Sequence, residues 1–85
     1  MHRINTFQPV GRIVAELRQM TPHDASVALG RSAALAIYEE NAEALLMLAL
    51  AHCVWRNAPL DAPAMAEMVE VMRSQGMRMA PRKGP

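Results

Sequence analysis

The chain has a single cysteine and few aromatic residues, and each shortage limits the kinds of fold that it can form. Cys53 has no second cysteine to pair with, so an intrachain disulfide is excluded, and its apolar neighbours predict a small buried side chain. Aromatic residues are scarce, with one Phe, one Tyr and one Trp in 85 residues. A chain this short predicts one domain, supplemented by self-association or by a bound partner.

The chain also lacks an excess of positive or of negative charge. Nine Lys and Arg residues stand against eight Asp and Glu residues, so the net charge is +1. Such a balance lacks the basic excess that is typical of nucleic-acid binding. Lys83 is the only lysine, and this preference for arginine together with abundant alanine is typical of GC-rich bacterial or phage genomes.

No apolar run is long enough to cross a bilayer. The longest, 44–55, falls short of the ~20 residues that a spanning helix needs, and residues 1–20 lack the continuous apolar region of a signal peptide. A cytoplasmic protein with no membrane partner is therefore predicted. The run 44–55 contains no charge, glycine or proline and is apolar on every face of a helix, which predicts an inner helix surrounded by others.

Hydrophobic periodicity predicts an all-α fold, a small antiparallel bundle of about four helices arranged as two stacked hairpins. Capping residues or proline mark each start, and Gly76 is predicted to end the last helix in the left-handed conformation. The predicted segments are 9–20, 22–39 after Thr21, 42–56 after Asn41, and 62–75 after Asp61. Residues 1–8 form an N-terminal arm whose Ile4 and Phe7 are predicted to pack on the core, 9–76 form the helical domain, and 77–85 form a flexible basic tail.

Residues 34–53 read Ala-Leu-Ala-Ile-Tyr-Glu-Glu-Asn-Ala-Glu-Ala-Leu-Leu-Met-Leu-Ala-Leu-Ala-His-Cys. This stretch resembles the junction between two tetratricopeptide repeats, with small residues at Ala34 and Ala49 where two helices nest. It departs from the family pattern in lacking the proline at the end of the second helix and in placing His52 where an aromatic residue is usual. The resemblance implies peptide or helix binding in a concave face, as in the small chaperones of bacterial secretion systems.

A second resemblance concerns residues 25–32, which end in Leu29-Gly30-Arg31-Ser32. Similar sequences form the turn of helix-turn-helix DNA-binding proteins, and the recognition helix would then be 32–41. That segment holds two glutamates, and Arg31 is the only cation beside it, whereas groove-reading helices need cations for phosphates. A DNA-binding regulator is therefore an alternative that the charges oppose.

No set of residues with catalytic or metal-binding spacing is present. The three histidines share no ligand spacing with one another or with Cys53, and neighbouring His52 and Cys53 point about 100° apart on a helix. No phosphate-binding loop or paired carboxylates occur either. The sequence predicts no enzyme, cofactor or metal, and predicts that His52 is a partly buried ring hydrogen-bonded to a turn.

A protein-binding surface is the predicted functional feature, because methionines concentrate in the last quarter of the chain and adapt to varied apolar partners. The alternative is that the methionine stripe is simply the inner face of the last helix. The predicted partner-binding residues are Met65, Met68, Met72, Met77, Met79, Trp55 and Tyr38. The predicted basic contacts of the tail are Arg78, Arg82 and Lys83.

These observations predict a non-enzymatic helical module for protein–protein interaction, acting as an adaptor, a small chaperone or an inhibitor of a partner protein. It would work as a homodimer or a hetero-complex and recognise another protein or helix. The alternatives are a phage-encoded inhibitor of a host or defence protein and the helix-turn-helix regulator. The acidic cluster of Glu39, Glu40 and Glu43 is interpreted as a solvated turn or as a contact for a basic partner.

Overall fold

Four α-helices account for most of residues 4–79, the part of the chain that the computed structural model describes. They are α1 (Val10–Gln19), α2 (Pro22–Tyr38), α3 (Ala42–Trp55) and α4 (Ala62–Met79). Residues 4–79 contain no strand, so the predicted all-α fold is confirmed. None of the helices in this part is both long and apolar enough to cross a bilayer.

Side-chain caps begin three of the helices at the predicted positions. The Oγ1 atom of Thr21 accepts a hydrogen bond from the backbone N–H of Asp24 at 3.1 Å. In the same way Asn41 caps α3 through the N–H of Ala44 at 3.0 Å, and Asp61 bonds the N–H of Ala64 at 2.9 Å. Each cap satisfies one backbone donor that a helix start leaves without a partner, so these residues fix the starts.

Left-handed residues close the C-terminal ends of α2 and α3. Glu40 has φ 53° and Asn57 has φ 55°. The following residue then bonds back across the last turn, from Asn41 N–H to the carbonyl of Ala36 at 2.8 Å and from Ala58 N–H to the carbonyl of Cys53 at 2.9 Å. This six-residue closure is a Schellman motif, and it satisfies carbonyls that would otherwise lack partners.

The helix α3 lies at the centre of the bundle, as its uniformly apolar sequence predicts. Like α2, it contacts each of the other three helices, whereas α1 and α4 do not contact one another. Seven of its residues are buried, among them Leu48 and Ala49, neither of which has any exposed surface. A single chain therefore covers most of α3.

The N-terminal arm is only partly packed. Ile4 is 2% exposed, and its N–H donates to the Oγ of Ser32 on α2 at 3.2 Å, so this part of the prediction is confirmed. Phe7 is 91% exposed, so its predicted packing on the core is wrong. The N–H of Phe7 bonds the side chain of Asn5 at 2.9 Å in a local turn, and that turn replaces an extended path along the bundle.

Gly76 does not end the last helix, which is a correction to the predicted boundary. Helix α4 continues through Gly76 to Met79, and no glycine in the described residues has a positive φ. A Cβ atom at Gly76 would lie 2.7 Å from Cδ1 of Ile37 and 2.8 Å from the carbonyl carbon of Ala33. The glycine is thus needed where α4 meets the backbone of α2. Of the predicted tail 77–85, residues 77–79 are helical and 80–85 lie outside the described residues.

The alternative of a helix-turn-helix at residues 25–41 does not match the structure. Its turn would fall at Gly30, but α2 is continuous from Pro22 to Tyr38. Gly30 is buried under the side chain of Met79, whose Sδ and Cε atoms occupy the space that a Cβ would need. Close packing of α4 therefore explains this glycine, and no recognition helix begins after it.

Candidate interaction surface

The predicted partner-binding residues divide into a buried and an exposed group. Met72 has no exposed surface and belongs to the core between α4 and its neighbours, so its predicted contact with a partner is wrong. Met65, Met68 and Trp55 are half-buried and pack against that core. The methionine stripe of α4 is thus mainly its inner face, which is the alternative that its helical spacing allows.

Three of the predicted residues are exposed: Tyr38 by 72%, Met77 by 63% and Met79 by 44%. They flank the contact between α2 and α4. Tyr38 and Met77 directly follow Ile37 and Gly76, which meet at that contact, and Met79 lies over Gly30. We call these three residues the α2–α4 surface. On α4 the side chains of Met77 and Met79 point about 160° apart, so the α2–α4 surface extends over two sides of the contact between the helices.

The predicted basic contacts are only partly described. Arg78 is exposed in the last turn of α4, where a cation interacts favourably with the helix dipole. Arg82 and Lys83 lie outside the described residues. One turn before Arg78, the Nε of Arg73 lies 3.7 Å from a carboxylate oxygen of Glu70, and both side chains are exposed.

Sequence reasoning missed other exposed apolar side chains. Leu46 is 50% exposed on α3, Leu60 is 55% exposed before α4, and Val71 is 38% exposed on α4. A helix that is apolar on every face carries no signal for which residue stays uncovered, so Leu46 could not be singled out. Leu60 follows Pro59 in a turn, which was a usable signal for an exposed position.

An open groove of about 760 Å³ runs along the outer side of α2, next to the end of α1. It exists because α1 packs mainly on α3 and hardly touches α2. Its lining combines apolar and charged groups: Met20 and Val27 are half-buried, while Asp24 and Arg31 are exposed. The groove also includes Glu16, whose Oε2 accepts a hydrogen bond from Gln8 Nε2 at 2.7 Å. The spacing of Asp24, Val27 and Arg31 at i, i+3 and i+7 is the feature of the sequence that indicates this stripe on α2.

His52 and Cys53 lie inside the bundle and are unsuited to nucleophilic chemistry. Burial lowers the pKa of His52 below its ordinary value, and the positive charge of Arg56 lowers it further. Its Nδ1 atom is buried without a hydrogen-bond partner among residues 4–79, so the predicted bond to a turn is wrong. Its ring instead lies 5.7 Å from that of Trp55. Burial also raises the pKa of the Cys53 thiol, which keeps it protonated.

The buried His52 predicts a loss of stability in mild acid. A folded-state pKa below the ordinary ~6.5 means that the unfolded chain binds the proton more tightly. The stabilisation is fully present above that ordinary value and is lost as the pH falls through the folded-state pKa. Urea unfolding between about pH 7.5 and pH 5 should therefore show a falling free energy of unfolding, and His52→Phe should flatten this dependence.

His23 provides the matched control, because it is exposed in the first turn of α2. His23→Ala should keep the full dependence on pH between about 7.5 and 5. An unchanged slope in His52→Phe would contradict the assignment of this effect to His52.

No group of three or more His, Cys, Asp or Glu side chains within residues 4–79 is placed to hold a metal ion. No family model, curated protein or solved structure shows significant similarity to the chain. The tetratricopeptide resemblance of residues 34–53 therefore stays a prediction. Within residues 4–79, the α2–α4 surface and the groove beside α1 are the features that bear on function.

Proposed function

We propose that this chain is a non-enzymatic module that binds another protein through the α2–α4 surface. The observation that carries the proposal is the exposure of Tyr38, Met77 and Met79, none of which belongs to the core cluster. Large exposed apolar side chains favour association with another protein, because their contact with water is unfavourable. Binding would remove that surface from water.

The chemistry of these side chains favours an apolar helix or peptide as the partner. Met77 and Met79 have flexible, polarisable side chains that repack against different apolar shapes. Tyr38 adds a rigid ring with a hydroxyl group that can find a polar partner at the edge of a contact. Arg78, exposed between the two methionines, would favour an acidic group next to the apolar stretch.

The tetratricopeptide resemblance supports the same class of function, since it implies capture of a peptide or helix. The roles of adaptor, small chaperone and inhibitor all use such a surface, and each would act on one particular partner. The buried Cys53 and the unpaired His52 offer no competing catalytic centre within residues 4–79.

Replacing Met77 by lysine should weaken the capture of a partner. Met77 is 63% exposed, so the fold should be unaffected within about 0.5 kcal/mol, while burying a charge at an apolar contact should lower the affinity at least about tenfold. The measurement is affinity capture from lysate of the native cells, with bound proteins quantified for the wild-type chain and the variant.

Ala66→Lys is the matched control, since Ala66 is exposed on α4 about 16 Å from Met77 and gains the same charge. It should capture the same protein as wild type. The proposal fails if no protein is enriched by the wild-type chain, or if the enriched protein binds Met77→Lys as tightly as it binds wild type.

A further inference from the structure

The charged residues on the outer face of α2 form a self-complementary pattern. Asp24, Val27 and Arg31 stand at i, i+3 and i+7, so they share one stripe, with Asp24 and Arg31 about 10.5 Å apart along the axis. All three line the open groove beside α1, together with Met20. Within residues 4–79, neither Asp24 nor Arg31 has an ion-pair partner.

Val27 and Ala28 lie midway between the two charged residues. If a second α2 helix lies antiparallel to the first, with a two-fold axis between Val27 and Ala28, each Asp24 faces Arg31 of the other copy. The same axis brings the two Val27–Ala28 segments together at the centre. A contact of this kind is isologous, because the same surface patch serves on both subunits.

We propose that a second copy of this chain occupies the groove, as an antiparallel α2 pair held in register by two Asp24–Arg31 ion pairs. Val27 and Met20, both half-buried in the free chain, lose their remaining water contact in the pair. The ion pairs are exposed and add little affinity, but they select the antiparallel register against the parallel one. In the parallel register each charge would face its own like charge.

This pairing does not involve α4, although Tyr38 of the α2–α4 surface stands at i+7 from Arg31 and continues the same stripe of α2. Met77 and Met79 therefore stay available on each copy, so a dimer would present two copies of the α4 part of the proposed binding surface. Two linked surfaces bind a partner with two target segments more tightly than one surface does. Because Met77 lies on α4 and takes no part in the pairing, failure of the pairing would leave the capture experiment with Met77→Lys unaffected.

Charge reversal provides the test. Asp24→Arg alone and Arg31→Asp alone each place like charges across both ends of the pair, and each should lower the dimer affinity about tenfold or more. An equal mixture of these two variants should form a heterodimer as stable as the wild-type dimer, since both ends are then attractive. The double variant Asp24→Arg/Arg31→Asp should restore the homodimer. Sedimentation equilibrium over micromolar to millimolar protein measures the dimer affinity of the two single variants, of their mixture and of the double variant.

The controls are Glu70→Arg and Arg73→Asp, which make the same charge changes on the exposed face of α4. Both should dimerise like wild type. Circular dichroism checks that each variant is folded, because Asp24 also lies in the first turn of α2. A wild-type chain that stays monomeric at millimolar concentration overturns the proposal. The proposal is also overturned if Asp24→Arg and Arg31→Asp each dimerise as tightly as wild type, or if the two variants fail to associate when they are mixed.

Discussion

Leu48→Ala should be among the most destabilising substitutions in this chain, lowering the free energy of unfolding by about 2–5 kcal/mol. Leu48 has no exposed surface and lies in α3, which contacts all three other helices. Truncation would leave a cavity in the core cluster that the surrounding side chains fill only in part. Small domains have only about 5–15 kcal/mol of stability, so the melting temperature should fall by about 10 °C or more.

Leu46→Ala is the matched control for this loss. Leu46 lies on the same helix and undergoes the same chemical change, but it is 50% exposed. Its truncation should change the free energy of unfolding by about 1 kcal/mol at most, since half of the side chain is already in water. Urea unfolding of both variants measures the difference, and equal losses would contradict the placement of α3.

Gly76→Ala should destabilise the protein by about 1–3 kcal/mol, although alanine is the better helix former by about 1 kcal/mol. The added Cβ would lie 2.7 Å from Ile37 Cδ1 and 2.9 Å from the backbone nitrogen of Ala34. A backbone atom cannot move aside as a flexible side chain can, so α4 itself must shift away from α2. Thermal unfolding followed by circular dichroism measures the effect.

The other glycines provide the comparison. Gly11 is exposed in α1 and a Cβ there meets nothing within 4 Å, so Gly11→Ala should stabilise by about 0.5 kcal/mol. At Gly30 the obstacle is the flexible end of Met79, which can swing away, so Gly30→Ala should be close to neutral. A stabilising Gly76→Ala would show that α4 does not lie this close to α2.

Local signals in the sequence predicted the positions of the helices well. Thr21, Asn41 and Asp61 each cap a helix as their residue types suggest, because the capping bond involves only neighbours in sequence. The apolar run 44–55 was sufficient to place α3 at the centre. Helix caps and an inner apolar helix can therefore be predicted without knowledge of the tertiary structure.

Features that depend on a distant residue could not be predicted. Gly76 is typical of a helix end in sequence, yet its role depends on the backbone of α2, some forty positions earlier. The packing of α4 on α2 also explains Gly30, which lies under Met79. In the sequence, the residues around Gly30 resemble the turn of a DNA-binding motif. Phe7 was expected on the core because it is large and apolar, but the side chain of Asn5 holds its backbone in a turn.

The candidate surface was only partly predictable for a related reason. Helical spacing identified the methionine stripe, but it does not tell which of Met72 and Met77 faces inward unless the phase of α4 is known. The continuation of α4 past Gly76 sets Met77 outward. The groove beside α1 depends on α1 packing on α3 rather than on α2, and no local pattern encodes that choice.

Site-specific photo-crosslinking in the native cells tests the central claim most directly, namely that the α2–α4 surface binds another protein. A photoreactive amino acid replaces Met77 in one variant and Glu67, an exposed residue of the same helix, in another. We predict that irradiation gives one discrete adduct with a partner protein from position 77 and none from position 67. No adduct at position 77, or the same adducts from both positions, would contradict it.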